Sequence, residues 1–203
     1  AGLIDQNAVR WLNTGAIPKP NIGTTQFSSS PKQPTFVRED VVRIDHDITD
    51  RLHLMGHWMH DSMSQTIYPT MWSGDSYSTV GNVFQNPSWA SVIKLTQTIS
   101  PTVLNETALN VNGNTINIAP TGIYQQPDGY SAGSFFTGNN PMNRLPTLAF
   151  GGPLGTNWTE IYWPWRNAFL DYQARDDMSW TRGRHGLKFG FSFMRMEKNQ
   201  QLQ

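Results

Sequence analysis

The sequence contains no cysteine and carries no net charge. Its 203 residues include 15 basic and 15 acidic side chains, and charged residues make up only 15% of the chain. The absence of cysteine excludes a disulfide scaffold, a thiolate metal site and a cysteine nucleophile. A balanced charge argues against a broad basic surface, so we expect no nucleic-acid partner.

Long apolar runs are also missing from the sequence. No stretch approaches the roughly 18 to 20 apolar residues that a membrane-spanning helix needs, and helical periodicity is confined to residues 4–12. Aromatic side chains, in contrast, account for 12% of the residues. This composition favours a protein with large hydrated loops and interfacial rings over a compact enzyme, and we expect no catalytic residue and no cofactor.

Period-two alternation begins near Thr35 and predicts six strands in three hairpins. The predicted strands are approximately 36–46, 51–61, 89–99, 103–111, 168–180 and 185–196. Each has close to the roughly 9 to 11 residues of a membrane β-strand. Short polar turns join the two strands of each hairpin, and the first of these turns is predicted at residues 47–50.

The connections between the hairpins are much longer than these turns. We expect an N-terminal connecting segment, 1–34, and a barrel segment, 35–203, with long loops at 62–88 and 112–167. Structureless loops beyond roughly 12 to 15 residues are uncommon in soluble domains, whereas outer-membrane barrels combine tight periplasmic turns with extended extracellular loops. The predicted fold is therefore all-β, with antiparallel hairpins that belong to a transmembrane β-barrel.

The strands alternate as a barrel wall requires. Val42 and Ile44, which would face lipid, alternate with Arg43 and Asp45, which would face the lumen. Aromatic residues near strand ends suit the membrane interfaces, and they are Trp58, Trp89, Tyr172 and Trp180. A soluble β-sandwich alternates in the same way, so the preference for a barrel depends on the contrast between short turns and long loops.

Four segments carry recognisable motifs in a fixed order. They are 8–21, 38–58 with RIDHDITD and HLMGHW, 95–106 (LTQTISPTVLNE) and 176–190 (DDMSWTRGRHGLKFG). Together they resemble the TonB-dependent outer-membrane receptors, in particular the Oar-like class that carries a carboxypeptidase-regulatory-like domain. His57 and Met55 stand where that family usually has Arg and Phe, so the family's lumen contacts are not carried over.

This resemblance implies a bacterial outer-membrane location and a role in the uptake of a ligand whose identity the sequence does not give. It also implies that the chain is a barrel segment only. The expected partners are outer-membrane lipid and, through open strand edges, the remainder of the barrel or other copies of the chain.

Two histidines form a candidate metal site. A four-residue turn at 47–50 would place Ile44 opposite His53 and His46 diagonal to it, so that the two imidazoles meet. A shared ion would need both nitrogens within about 2.1 Å of it. The alternative is that both histidines are ordinary polar residues near the periplasmic side.

The second long loop holds the candidate ligand-binding residues, which are Trp158, Tyr162, Trp163 and Trp165. Their ring faces suit stacking on a sugar, although they would also serve to pack the loop. The histidines and these rings support an alternative function, a self-standing soluble β-protein acting as a metal-dependent or carbohydrate-active hydrolase. A third hypothesis is a secreted assembly module that pairs through its strand edges.

Overall fold

The computed structural model describes residues 3–72, 77–131, 140–149, 157–158 and 163–202. These residues form a short helix and an extended antiparallel sheet. The elements are α1 (Gln6–Asn13), β1 (Thr35–Thr49), β2 (Leu52–Ile67), β3 (Val80–Gln85), β4 (Ser88–Ser100), β5 (Val103–Gly122), β6 (Leu148–Ala149), β7 (Asn157–Trp158), β8 (Trp165–Arg182) and β9 (His185–Leu202). Within the described ranges, no helix is long and apolar enough to cross a membrane.

The main sheet has seven strands arranged in six positions. Its order is β1, β2, then β3 and β4 end to end, then β5, β8 and β9, because β3 and β4 each pair with both β2 and β5. Asn86 and Pro87 separate β3 from β4, and proline has no N–H to donate to a sheet ladder. The all-β prediction with antiparallel hairpins is confirmed, while β6 and β7 form a separate two-stranded pair.

Three two-residue turns lie at one end of this sheet. Residues 50–51 join β1 to β2, residues 101–102 join β4 to β5, and residues 183–184 join β8 to β9. Gly183 has a φ of 58°, a conformation that glycine adopts without a steric penalty. The sequence located all three turns, but each is shorter than predicted because pairing continues to Thr49 and Leu52, to Ser100 and Val103, and to Arg182 and His185.

The connections at the opposite end are long, although they are shorter than the sequence suggested. β2 continues to Ile67, and β5 continues to Gly122. The connections therefore span 68–79 and 123–164 rather than 62–88 and 112–167. The Asn-rich residues 112–122 have the composition of a loop, but their backbone pairs with β3, β4 and β8 on either side.

The register gives the sheet two chemically different faces. One row of directly paired residues is mainly aliphatic and aromatic: Ile44, Gly56, Ile93, Leu109, Ala174 and Phe193. The adjacent row, on the other face, is Asp45, Met55, Lys94, Ala108, Arg175 and Ser192. We call these the apolar face and the polar face. Alternate residues along each strand share a face, and the apolar face also carries a few polar side chains, among them His46 and Asp176.

Aromatic residues bound the apolar face. Trp58, Trp89 and Tyr172 lie on this face toward the long-connection end, and we call them the aromatic belt. Trp180 lies on the same face near the tight turns. Tyr172 and Trp180 are therefore separated by about 26 Å along β8 at ~3.3 Å per residue. This separation suits strands that are tilted across an apolar layer about 25 Å thick.

A small core forms at the long-connection end. Trp11, Ala16, Val80 and Leu145 are buried together, with Trp11 only 3% exposed. Asp5 caps helix α1 by accepting hydrogen bonds from the backbone N–H groups of residues 7 and 8. The Thr79 hydroxyl donates to the Ala16 carbonyl at 2.6 Å. Part of the N-terminal segment is therefore packed over the end of the sheet against residues 123, 124, 130, 145 and 148.

Candidate functional site

Ion pairs line the turn half of the polar face. Arg43 pairs with Asp45 at 2.7 Å, and Lys94 pairs across strands with Glu106 at 3.3 Å. A further pair joins Arg175 to Asp177 on β8. Within this half of the sheet, paired charges on one face and mainly aliphatic residues on the other match a wall with a hydrated interior and a lipid-facing exterior.

His53 belongs to this polar face and contacts two carboxylates. Its Nδ1 lies 2.7 Å from an oxygen of Asp47, and its Nε2 lies 3.3 Å from an oxygen of Asp45. Both ring nitrogens are therefore already engaged by protein oxygens. Metal ligation through His53 would require one of these contacts to break.

The predicted meeting of His46 with His53 is wrong. Ile44 lies opposite Gly56 rather than His53, and His46 lies opposite Leu54. Because adjacent residues of a strand point to opposite faces, the His46 side chain is on the apolar face and that of His53 is on the polar face. In the part of the chain that the structure describes, no group of three or more His, Cys, Asp or Glu residues is arranged to hold a metal ion.

Three tryptophans gather at the long-connection end. The ring centroid of Trp72 is 5.6 Å from that of Trp163 and 5.7 Å from that of Trp165, both in edge-on geometry. Trp163 and Trp165 are nearly parallel, with centroids 6.1 Å apart. We call these three residues the tryptophan cluster. The sequence predicted Trp163 and Trp165 as site residues and missed Trp72, whereas Tyr162 and the side chain of Trp158 lie outside the described residues.

The tryptophan cluster lies over the polar face at its long-connection end. Trp165 is paired with Ile118, which in turn is paired with Phe84, so all three side chains share that face. Trp163 is only 4% exposed and forms the base of the cluster, while Trp72 is 68% exposed. The ring surface that a ligand could reach therefore belongs mainly to Trp72.

Arg144 fixes the backbone beneath the cluster. Its guanidinium donates to the Trp163 carbonyl oxygen at 2.7 Å, and its partial burial lowers its pKa from the usual value. The indole Nε1 atoms of Trp163 and Trp165 are buried, and neither has a hydrogen-bond partner among the described residues. The cluster therefore presents mainly the flat apolar face of Trp72, and an aromatic face of this kind can stack on another ring.

No local signal in the sequence connected Trp72 to this site. Trp72 has a φ of 58° and belongs to the connection 68–79, far along the chain from Trp163. The two connections meet because β3 pairs with β5 and β5 pairs with β8. The proximity of these rings could have been predicted only from the order of the strands in the sheet.

These features define a class of protein, the membrane-spanning β-barrels. A model of the Outer membrane beta barrel domain family matches residues 1–203, and the chain belongs to this family. Neither a curated protein nor a solved structure matches the chain. Membership of the family confirms the predicted location in the bacterial outer membrane, with lipid as the environment, and does not favour the soluble hydrolase.

Proposed function

We propose that this chain forms part of the wall of a TonB-dependent receptor of the Oar-like class and takes part in the uptake of a ligand. The proposal is supported by the positions of the four motifs. Segments 38–58, 95–106 and 176–190 each contain one of the three two-residue turns, and segment 8–21 contains most of helix α1. The resemblance therefore involves every hairpin of the main sheet.

The tryptophan cluster is the observation on which the proposed ligand site rests. Tight turns are periplasmic in outer-membrane barrels and long loops are extracellular, so the cluster lies at the end where a ligand arrives. We assign ligand contact to Trp72, Trp163 and Trp165. Trp158 and Tyr162, which belong to the same connection as Trp163, complete the proposed set. A ligand with a flat apolar face, such as a sugar ring, suits these residues.

The two outer strands are the proposed contacts with further chain. Among the described strands, β1 pairs only with β2 and β9 pairs only with β8. Each leaves a row of backbone groups without a partner, and such groups are costly in hydrocarbon. We propose that these edges pair with further strands of the same barrel or with another copy of the chain.

Growth under nutrient limitation tests the proposed uptake. A bacterial strain that lacks the protein carrying this chain is grown on single limiting nutrients, which include an iron chelate and several oligosaccharides. We expect growth to fail on one nutrient and to return with the unaltered protein, but only while TonB is present. Growth that returns equally without TonB would contradict the proposal.

The tryptophan cluster is tested in the same assay. Trp72→Ala removes the exposed ring, and one aromatic contact is worth about 0.5–1.5 kcal/mol. The nutrient concentration that supports half-maximal growth should therefore rise about 2- to 12-fold. Trp58→Ala, on the apolar face, is the control and should leave this concentration unchanged. An equal effect of both substitutions would remove the cluster from the proposed site.

A further inference from the structure

The turn between β8 and β9 carries positive charge that no acidic residue neutralises. Arg182 is the last residue of β8, and Arg184 belongs to the turn itself. No Asp or Glu occurs in residues 178–196. Neither guanidinium forms an ion pair or a hydrogen bond with any residue in the described part of the chain. Both arginines therefore keep their charge and their N–H donors for another molecule.

The other two turns at this end of the sheet differ from it in charge. The first turn has Asp50 beside Arg51, and Asp47 lies just before it. The second turn consists of Pro101 and Thr102 and has no charged residue. The positive charge is therefore confined to the β8–β9 turn and is not a general property of the tight-turn end.

Arg182 lies at the level of lipid head groups. Its guanidinium carbon is 5.5 Å from the centre of the Trp180 ring, which is on the apolar face. Arg182 is two residues closer to the turn than Trp180, which is about 6.6 Å along the strand and about 5 Å in depth at a tilt of ~40°. Head groups occupy roughly 5 to 7 Å on each side of the hydrocarbon core. The guanidinium therefore lies just outside the apolar layer that Trp180 bounds.

The surface around these arginines is open. A Cβ added at Gly183 or at Gly186 would meet no atom within 4 Å, and Arg182, Arg184 and His185 are all exposed. A guanidinium can donate two parallel N–H groups to the oxygens of one phosphate. His185, which is paired with Arg182, offers a further N–H in either tautomer. The turn therefore has the donors and the space to bind a phosphate ester at the membrane surface.

We propose that Arg182 and Arg184 bind the phosphate group of an anionic phospholipid in the leaflet next to the tight turns. Basic residues beside a membrane attract anionic lipids. A zwitterionic lipid is less suited to this turn, because residues 178–196 contain no carboxylate that could pair with its ammonium group. This proposal depends on the position of the barrel in the membrane and is independent of the proposed ligand uptake.

Competition between two lipids tests the proposal. The protein that carries this chain is extracted from the outer membrane in detergent and mixed with equal amounts of phosphatidylglycerol and phosphatidylethanolamine that have the same acyl chains. Native mass spectrometry gives the ratio of the two lipids in the species with one bound lipid. The variants are Arg182→Gln and Arg184→Gln. Arg51→Gln is the matched control, because it removes the same charge from the same end of the sheet but from the first turn.

We expect the unaltered protein and the control to retain phosphatidylglycerol in preference to phosphatidylethanolamine. Each variant of the β8–β9 turn should lower the ratio of the two lipids about fivefold, which corresponds to about 1 kcal/mol. Heat-modifiable migration in gels identifies a variant that does not fold, and the other variant then decides the result. An equal ratio on the unaltered protein, or an equal loss in Arg51→Gln, would overturn the proposal. Displacement of phosphatidylglycerol by soluble glycerol phosphate would assign the turn to a soluble ligand and would also overturn it.

Discussion

Replacing Ile93 by Arg tests the assignment of the two faces most directly. The Ile93 side chain is on the apolar face of β4 and is 57% exposed. It lies four residues from Trp89 of the aromatic belt, which is about 13 Å along the strand and about 10 Å in depth at a tilt of ~40°. Half of an apolar layer that is about 25 Å thick is close to this depth, so the new guanidinium would lie near the middle of the bilayer.

An arginine at that depth should cost about 2–4 kcal/mol of folding free energy in the membrane. The folding equilibrium constant should therefore fall roughly 30- to 700-fold. Val92→Arg is the matched control because Val92 is the preceding residue of the same strand and faces His57 and Asn110 on the polar face. We expect this control to cost less than about 1 kcal/mol, since an arginine there remains in water.

Denaturant titration of the protein folded in phospholipid vesicles, followed by tryptophan fluorescence, measures both free energies of unfolding. The difference between the two variants is informative because the substitutions introduce the same side chain one residue apart. Equal penalties would contradict the distinction between the two faces, and a larger penalty for Val92→Arg would show that the faces are assigned the wrong way round.

Three further predictions use the same unfolding assay. Asp176 lies on the apolar face and accepts a hydrogen bond of 2.6 Å from the Thr107 hydroxyl, so Asp176→Ala should cost about 1–3 kcal/mol. The Asn105 amide also donates to Asp176, at 3.0 Å. The triple variant Asp176→Leu, Thr107→Val and Asn105→Leu should therefore recover most of this loss, and additive penalties would contradict the reasoning. A Cβ at Gly190 would collide with the Asp176 carbonyl oxygen, whereas a Cβ at Gly186 meets nothing within 4 Å. Gly190→Ala should therefore be destabilising by about 1–3 kcal/mol, and Gly186→Ala should be neutral. Equal effects of the two substitutions would refute this prediction. Asp5→Ala should cost about 1 kcal/mol through loss of the α1 cap, and an unchanged midpoint would show that the helix does not depend on it.

The two faces could be predicted from the sequence because side-chain direction in a strand has a period of two. The alternation of Val42 and Ile44 with Arg43 and Asp45 was enough to separate them. The strand ends could not be predicted in the same way. Residues 112–122 are rich in asparagine, which is depleted in strands, yet they pair because the neighbouring strands supply partners for their backbone.

The histidine prediction failed through an error in register. A turn at 50–51, rather than at 47–50, leaves Asp47 opposite His53. In a sheet, a register shift of one residue moves a side chain to the opposite face. Polar residues on both sides of a turn do not specify its length, so this error could not be detected from the sequence.

The spatial grouping of the tryptophan cluster could be predicted only in part, and ligand binding by it stays a prediction. Trp163 and Trp165 are close in the chain and were identified together. Trp72 joins them through pairing of strands that are distant in sequence, and single-sequence patterns contain no measure of such contacts.

The interruption between β3 and β4 affects how the loops of such a barrel wall can change in sequence and length. Pro87 lies two residues before Trp89 and has no N–H to donate to the sheet. The backbone on either side of it is still paired. The Thr115 N–H donates to the Pro87 carbonyl at 2.9 Å, and the Asn86 N–H donates to the Met63 carbonyl at 3.0 Å. The interruption is therefore confined to the position of β3 and β4, because β2 and β5 continue past it and pair with both. Loop sequences on the long-connection side of this interruption can change in length without shifting the register of the lipid-embedded strands. New binding specificities can therefore arise while the membrane-spanning strands stay unchanged.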